Sequence, residues 1–167
     1  MQNILFSVFA ITFLFFSCCD DDGPKTCKES YETAVSTKNC ASAPGPFPVE
    51  GEIFKVVEES PLFPGCDTVT NSTERRKCAE EKLLAFLKDN LVYPPSAIEE
   101  GLEGTVYVKF VVEEDGCVDG IEIVKSLGCG CAQESIRLVE MMPQWTPGKQ
   151  RGTPVRVQFN LPVKFEL

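Results

Sequence analysis

Apolar and polar residues alternate without a break at the C-terminal end of the chain. Val155, Val157, Phe159, Leu161, Val163, Phe165 and Leu167 occupy the odd positions, and Arg156, Gln158, Asn160, Pro162, Lys164 and Glu166 lie between them. A period of two predicts a strand with one face on a core. Pro162 cannot donate a ladder hydrogen bond, so this strand belongs at a sheet edge. A long edge strand invites pairing with other chains.

The same reasoning upstream predicts a hairpin in "GTVYVKFVVEEDGCVDGIEIVKSLG". Val106, Val108, Phe110 and Val112 alternate, "EEDGC" turns, and Ile121 and Ile123 alternate again. Ala79, Leu83, Phe86, Leu87 and Leu91 recur at helical spacing, with Asn71 and Glu74 as the N-terminal capping signal. Pro94-Pro95 stops that helix and starts a short one, Ser96 to Glu100, closed by Gly101. "AQESIRLVEMM" carries Ala132, Ile136 and Val139 on one face and ends at Pro143. "PQWTPGKQRGTP" reads as a loop, and "IFKVV" (53–57) as a short strand. The order is helix, strand, strand, helix, strand. A sheet of three strands must bury one face under its helices. The expected fold is therefore α+β: a two-layer sandwich whose small three-stranded antiparallel sheet carries its helices on one face. Trp145 is expected in the core, plugging a sheet end.

Upstream the pattern changes twice. Ile4 to Phe16 is apolar except for Ser7 and Thr12, too short for the ~20 residues of a membrane-spanning helix and suited to a signal-peptide core. It ends in Ser17-Cys18 before a run of acids, which resembles a bacterial lipoprotein signal with Cys18 as the lipid-accepting residue. A cleaved secretory signal or a short membrane anchor is the alternative. Residues 18–52 are polar, rich in Pro, Gly and Ser, and aperiodic. They read as a flexible tether that Cys27 and Cys40 would close into a loop. The expected division is a signal peptide at 1–17, a lipidated tether at 18–52 and a folded domain at 53–167. Asp20 to Asp22 read either as a sorting signal after the lipid cysteine or as a solvated charge run.

Nine cysteines suit an oxidising compartment. A Cys66–Cys78 disulfide would fasten the start of the domain to its first helix. Cys117 in the turn and Cys129 or Cys131 after the second strand form a further candidate pair, although a whole strand separates them. "CGC" comes with neither a CxxC nor a histidine, which argues against a redox or metal site.

Net charge is −9, which argues against wholesale nucleic-acid binding. From Arg137 onward, however, five basic residues face two acidic ones, so the region around the last strand carries +3. The chain has no histidine, its carboxylates are scattered, and no Gly-rich phosphate loop is present. Neither a nucleophile system nor a cofactor site is legible, and the expectation is a protein that is not an enzyme, without cofactor or metal.

The order and spacing of Tyr93-Pro94, Gly104, Asp115-Gly116, Trp145 and Pro147-Gly148, followed by the alternating strand, resemble the C-terminal domain of TonB-type energy transducers over residues 60–167. The resemblance implies a domain on the periplasmic face of a Gram-negative envelope, here membrane-anchored through lipid. It implies binding of the N-terminal TonB box of outer-membrane receptors by strand addition. It also implies force transmission from inner-membrane proton-driven motor proteins, so that the receptor imports iron complexes or other nutrients.

Within that frame Pro162 orients the last strand. Backbone groups of successive residues point to alternate sides, so the side lacking the Pro162 N–H faces outward. Arg156, Gln158 and Asn160 would then bond the incoming peptide, while Val155, Val157, Phe159 and Leu161 would bond the hairpin. Lys149, Arg151 and Arg156 read either as attractors of an acidic receptor segment or as solvated surface charges. Tyr93 and Pro94 read either as receptor contacts or as a helix stop with a packed ring. Compared with a full transducer, the chain lacks a spanning helix and the intramembrane histidine associated with motor contact. Its ~40-residue tether reaches at most on the order of 130 Å. A lipoprotein adaptor with the same domain and no motor is therefore the alternative reading.

Overall fold

The computed structural model describes residues 51–167. The expectations for the leader, for Cys18, for the Cys27–Cys40 loop and for the tether up to residue 50 fall outside the described residues.

Helix α1 spans Ser72–Asn90. It starts at Asn71, whose side-chain oxygen accepts from the Thr73 and Glu74 backbone N–H groups at 2.9 and 3.3 Å. Ala79, Leu83 and Leu87 are buried along one stripe, with Phe86 and Leu91 packed beside them. Helix α2, Pro95–Glu99, opens on a proline whose missing N–H costs nothing there. Strands β1 (Gly104–Val112) and β2 (Val118–Lys125) form the hairpin, and α3 covers Cys131–Glu140. Strands β3 (Gly148–Gln150) and β4 (Thr153–Val155) precede β5 (Val157–Phe165).

The main sheet has the order β2-β1-β5, antiparallel throughout. Val106, Val108, Phe110 and Val112 of β1, Val157, Leu161, Val163 and Phe165 of β5, and Ile121 and Ile123 of β2 point to one face. With Leu138 and Val139 of α3 and the α1 stripe, all of these but Val157 make a single core. The opposite face presents Tyr107, Lys109, Asn160, Pro162 and Lys164. This is the two-layer α+β arrangement expected from the periodicities.

Three expectations need correction. The segment 146–154 is not a plain loop but the β3–β4 ribbon. Its tip, Arg151-Gly152, has φ of 52° and 79°, the left-handed pair a tight two-residue hairpin demands. Second, the last strand does not run unbroken from Val155. Val155 pairs with Gly148 in the ribbon, the chain breaks at Arg156, and β5 begins at Val157. Third, residues 53–57 form no strand. Phe54 alone makes a bridge, parallel to β5 at Val157.

The cysteines stiffen this frame. Cys66 and Cys78 are joined, closing a loop of sequence separation 12. Cys117 and Cys129 are each disulfide-bonded. They sit beyond opposite ends of β2 and so are not bonded to each other, since bridged Cα atoms lie within ~7 Å. Cys131 is a buried thiol at the start of α3.

Candidate docking edge

Strand β5 lies at the edge of the main sheet, paired only with β1 among the described strands. Its register with β1 runs from Gly104↔Phe165 to Val112↔Val157 without a shift. One assignment of inward and outward backbone groups therefore holds along its whole length. Phe54 fixes that assignment. The Phe54 N–H donates to the Arg156 carbonyl, and the Gln158 N–H donates to the Phe54 carbonyl, both at 2.9 Å. Even-numbered residues thus turn their backbone outward. Pro162, opposite Tyr107, shares that parity and presents only a carbonyl. Beyond Phe54, the outward N–H and C=O of Asn160, the C=O of Pro162 and the N–H and C=O of Lys164 have no backbone partner among the described residues. The other sheet edge, β2, is less regular. Its pairing with β1 shifts register twice, between Tyr107 and Val108 and again between Lys109 and Val111. Such irregularities twist an edge away from further pairing.

The residues singled out from sequence are spread along β5. Arg156 stands at its start, where the guanidinium grips Glu113 bidentately, Nε to Oε2 at 2.8 Å and Nη2 to Oε1 at 2.9 Å. Nη1 also donates to the Gly51 carbonyl at 3.2 Å. Hydrogen bonding to Glu113 outweighs burial, and with the charges of Glu113, Asp119 and Glu114 it raises the Arg156 pKa. Both the side chain and the outward carbonyl of Arg156 are therefore engaged within the domain, as is the outward N–H of Gln158. Of the three predicted edge residues, Asn160 alone has its outward groups unpartnered among the described residues, and it is exposed.

Lys149 and Arg151 sit on the ribbon and hold the segment that leads into the domain. Lys149 exchanges two backbone bonds with Glu59, at 2.9 and 3.1 Å, and the Arg151 N–H donates to the Glu58 carboxylate at 3.0 Å. Tyr93 and Pro94 lie near the other end of β5. The Tyr93 ring packs edge-on against Phe165 with centroids 5.5 Å apart, and its hydroxyl donates to the Leu102 carbonyl. Burial, with Cys131 and Glu103 nearby, raises the Tyr93 pKa, which keeps that donor protonated. Its ring and hydroxyl both serve the fold.

Trp145 sits in the core, edge-on to Phe63, Phe110 and Phe159 at centroid distances of 5.1–5.8 Å. Its backbone N–H donates to the Gly116 carbonyl at 2.9 Å, so the hairpin turn and the Trp145 loop dock on each other. A cavity of ≈180 Å³ opens beside Phe159, between Pro61–Phe63, Leu83 and Trp145.

The sequence reading missed two contributors. Glu113 reads from sequence as part of the turn, yet it is buried and pairs with Arg156. The register Val112↔Val157 places the two across from each other, so a correct hairpin alignment would have found it. The Phe54 bridge carried no sequence signal beyond a short apolar run.

Residues 89–167 match the family described as the Gram-negative bacterial TonB protein C-terminal. No curated protein matches. Two solved structures are similar to this chain, both NMR structures of the Helicobacter pylori TonB C-terminal domain. One, of residues 179–285, is 20% identical, covers 61% of this chain and 88% of its own, and has a TM-score of 0.40. The other, of residues 194–285, is 24% identical, covers 52% of this chain and 91% of its own, and has a TM-score of 0.37. Over residues 89–167, just under half of its length, this chain is thus similar to Gram-negative bacterial TonB protein C-terminal domains.

Proposed function

We propose that the outer edge of β5 receives the TonB box, the extended N-terminal segment of a TonB-dependent outer-membrane receptor, as an added antiparallel or parallel strand. In this reading the domain supports energy-dependent uptake of iron complexes or other nutrients from the periplasmic side, anchored to the membrane through lipid on Cys18. The observation that carries it is the row of outward backbone groups on Asn160, Pro162 and Lys164, on a strand whose register runs unbroken. The match over residues 89–167 supports it, because TonB C-terminal domains are Gram-negative envelope domains that act by protein contact rather than covalent chemistry. The main chain supplies the grip and the cavity beside Phe159 offers a place for a guest side chain, as strand addition requires.

Asn160→Pro tests the proposal. It removes one outward N–H and leaves the β1–β5 ladder intact, just as Pro162 does already. Binding of a synthetic receptor N-terminal peptide, measured by calorimetry, is expected to weaken about fivefold, the equivalent of one hydrogen bond at ~1 kcal/mol, with Tm unchanged. Unchanged affinity in a folded variant would refute it.

A further inference from the structure

The free edge of β5 does not begin at the start of the strand. A guest pairing along all of β5 needs the Arg156 carbonyl and the Gln158 N–H, and both are bonded to Phe54. We infer that residues 51–57 are a displaceable segment of the chain, bridged to β5 through Phe54, that contests the upstream half of the docking edge, so that the domain distinguishes long guests from short ones. This inference rests on the strand-addition reading above.

Three observations carry it. Among the described residues the hold at this point is slight: two backbone bonds at 2.9 Å and the Arg156 Nη1 bond to Gly51 at 3.2 Å. Limited apolar burial backs it: Ile53 is 44% and Val56 86% exposed, Phe54 and Val57 are half-buried, and no residue of 51–57 is fully buried. Burial is what makes a docked segment costly to remove. Finally, the chain is fastened again immediately downstream. Glu58 holds the Arg151 N–H, Glu59 exchanges bonds with Lys149, and Leu62 exchanges bonds with Thr146 at 3.0 and 2.9 Å. Residues 51–57 can therefore lift away while the domain beyond Glu58 stays closed. The Glu113–Arg156 pair survives the departure and continues to hold β1 to the start of β5.

A guest confined to Asn160–Glu166 never meets Phe54. A guest extending to Arg156 must replace it, and its net affinity is reduced by the bonds it displaces. Phe54→Pro removes the Phe54 N–H and disrupts the bridge. Synthetic receptor N-terminal peptides of about five and about ten residues are titrated against the wild-type chain and this variant. The long peptide is expected to bind the variant roughly five- to thirty-fold more tightly, from one to two hydrogen bonds no longer contested. The short peptide is expected to bind both alike. Equal affinity of the long peptide for both proteins would overturn the competing role of residues 51–57 while leaving strand addition standing. If neither peptide binds either protein, both fall.

A measurement on the unaltered chain guards against a misfolded variant. The Phe54 amide, protected by Arg156 in the free protein, should become exchange-exposed when the long peptide saturates and stay protected with the short one. Continued protection under the long peptide would also overturn the inference.

Discussion

Replacing Gly116 by alanine tests whether the hairpin turn and the Trp145 loop are joined as the structure has them. Gly116 has φ of +84°, a conformation that costs an L-residue roughly 1–2 kcal/mol. A Cβ there would lie 2.0 Å from the Trp145 carbonyl oxygen, which no packed protein tolerates. Turn and loop must part by an ångström or more, and the 2.9 Å bond from the Trp145 N–H to the Gly116 carbonyl is lost. A broken bond that leaves a buried group unsatisfied adds about 1–3 kcal/mol. The total is about 2–5 kcal/mol, a large share of the ~5–15 kcal/mol typical of a domain. Gly152→Ala is the control, since its φ is +79° but nothing lies within 4 Å, leaving only the conformational cost. Urea unfolding followed by the fluorescence of Trp145, the only tryptophan in the chain, reads both variants. The reasoning predicts that Gly116→Ala costs at least ~1–2 kcal/mol more than Gly152→Ala. Equal costs would refute the docking of turn on loop.

Two further outcomes follow from the packing. Glu134 accepts from the Val92 N–H and from Arg137, which in turn holds the Asn90 carbonyl, all at 2.7 Å, so this cluster ties the end of α1 to α3. Burial alone would raise the Glu134 pKa, but the Arg137 and Val92 hydrogen bonds and the Arg137 charge outweigh it and hold it below the usual carboxylate value. A depressed folded-state pKa stabilises above the unfolded value of about 4.3 and is lost as pH falls through the folded one. Glu134→Gln should therefore cost about 1–2 kcal/mol at neutral pH, moderated because Arg137 is 39% exposed, and the deficit should shrink below about pH 4 in denaturant titrations. A deficit independent of pH would contradict this. Replacing Cys66 and Cys78 together by alanine should lower stability by about 3 kcal/mol through loop closure, read as a fall in urea midpoint.

Much of this fold was legible because its elements are periodic. Val106, Val108, Phe110 and Val112 of β1, Val157, Leu161, Val163 and Phe165 of β5, and the α1 stripe each bury the face that their spacing assigns. Pro162 gave the parity of β5 correctly from one missing donor, and the unbroken register preserved it. Elements that depend on nonlocal pairing escaped. The β3–β4 ribbon is three residues a side and turns on Arg151-Gly152, where asparagine or aspartate would normally announce a tight hairpin. The Phe54 bridge involves one residue on each side and has no period to read. The commitment of Arg156 to Glu113 depends on a cross-strand register that residue type alone does not encode.

Residue-resolved amide exchange across β5, with and without a receptor N-terminal peptide, tests the central claim most directly. In the free protein Leu161 and Val163, which face β1, should exchange slowly, while Asn160 and Lys164 exchange fast. Saturating peptide should slow Asn160 and Lys164 and leave their neighbours unchanged. If those two amides are already protected in the free chain, or stay fast with peptide bound, the edge of β5 is not where the guest docks.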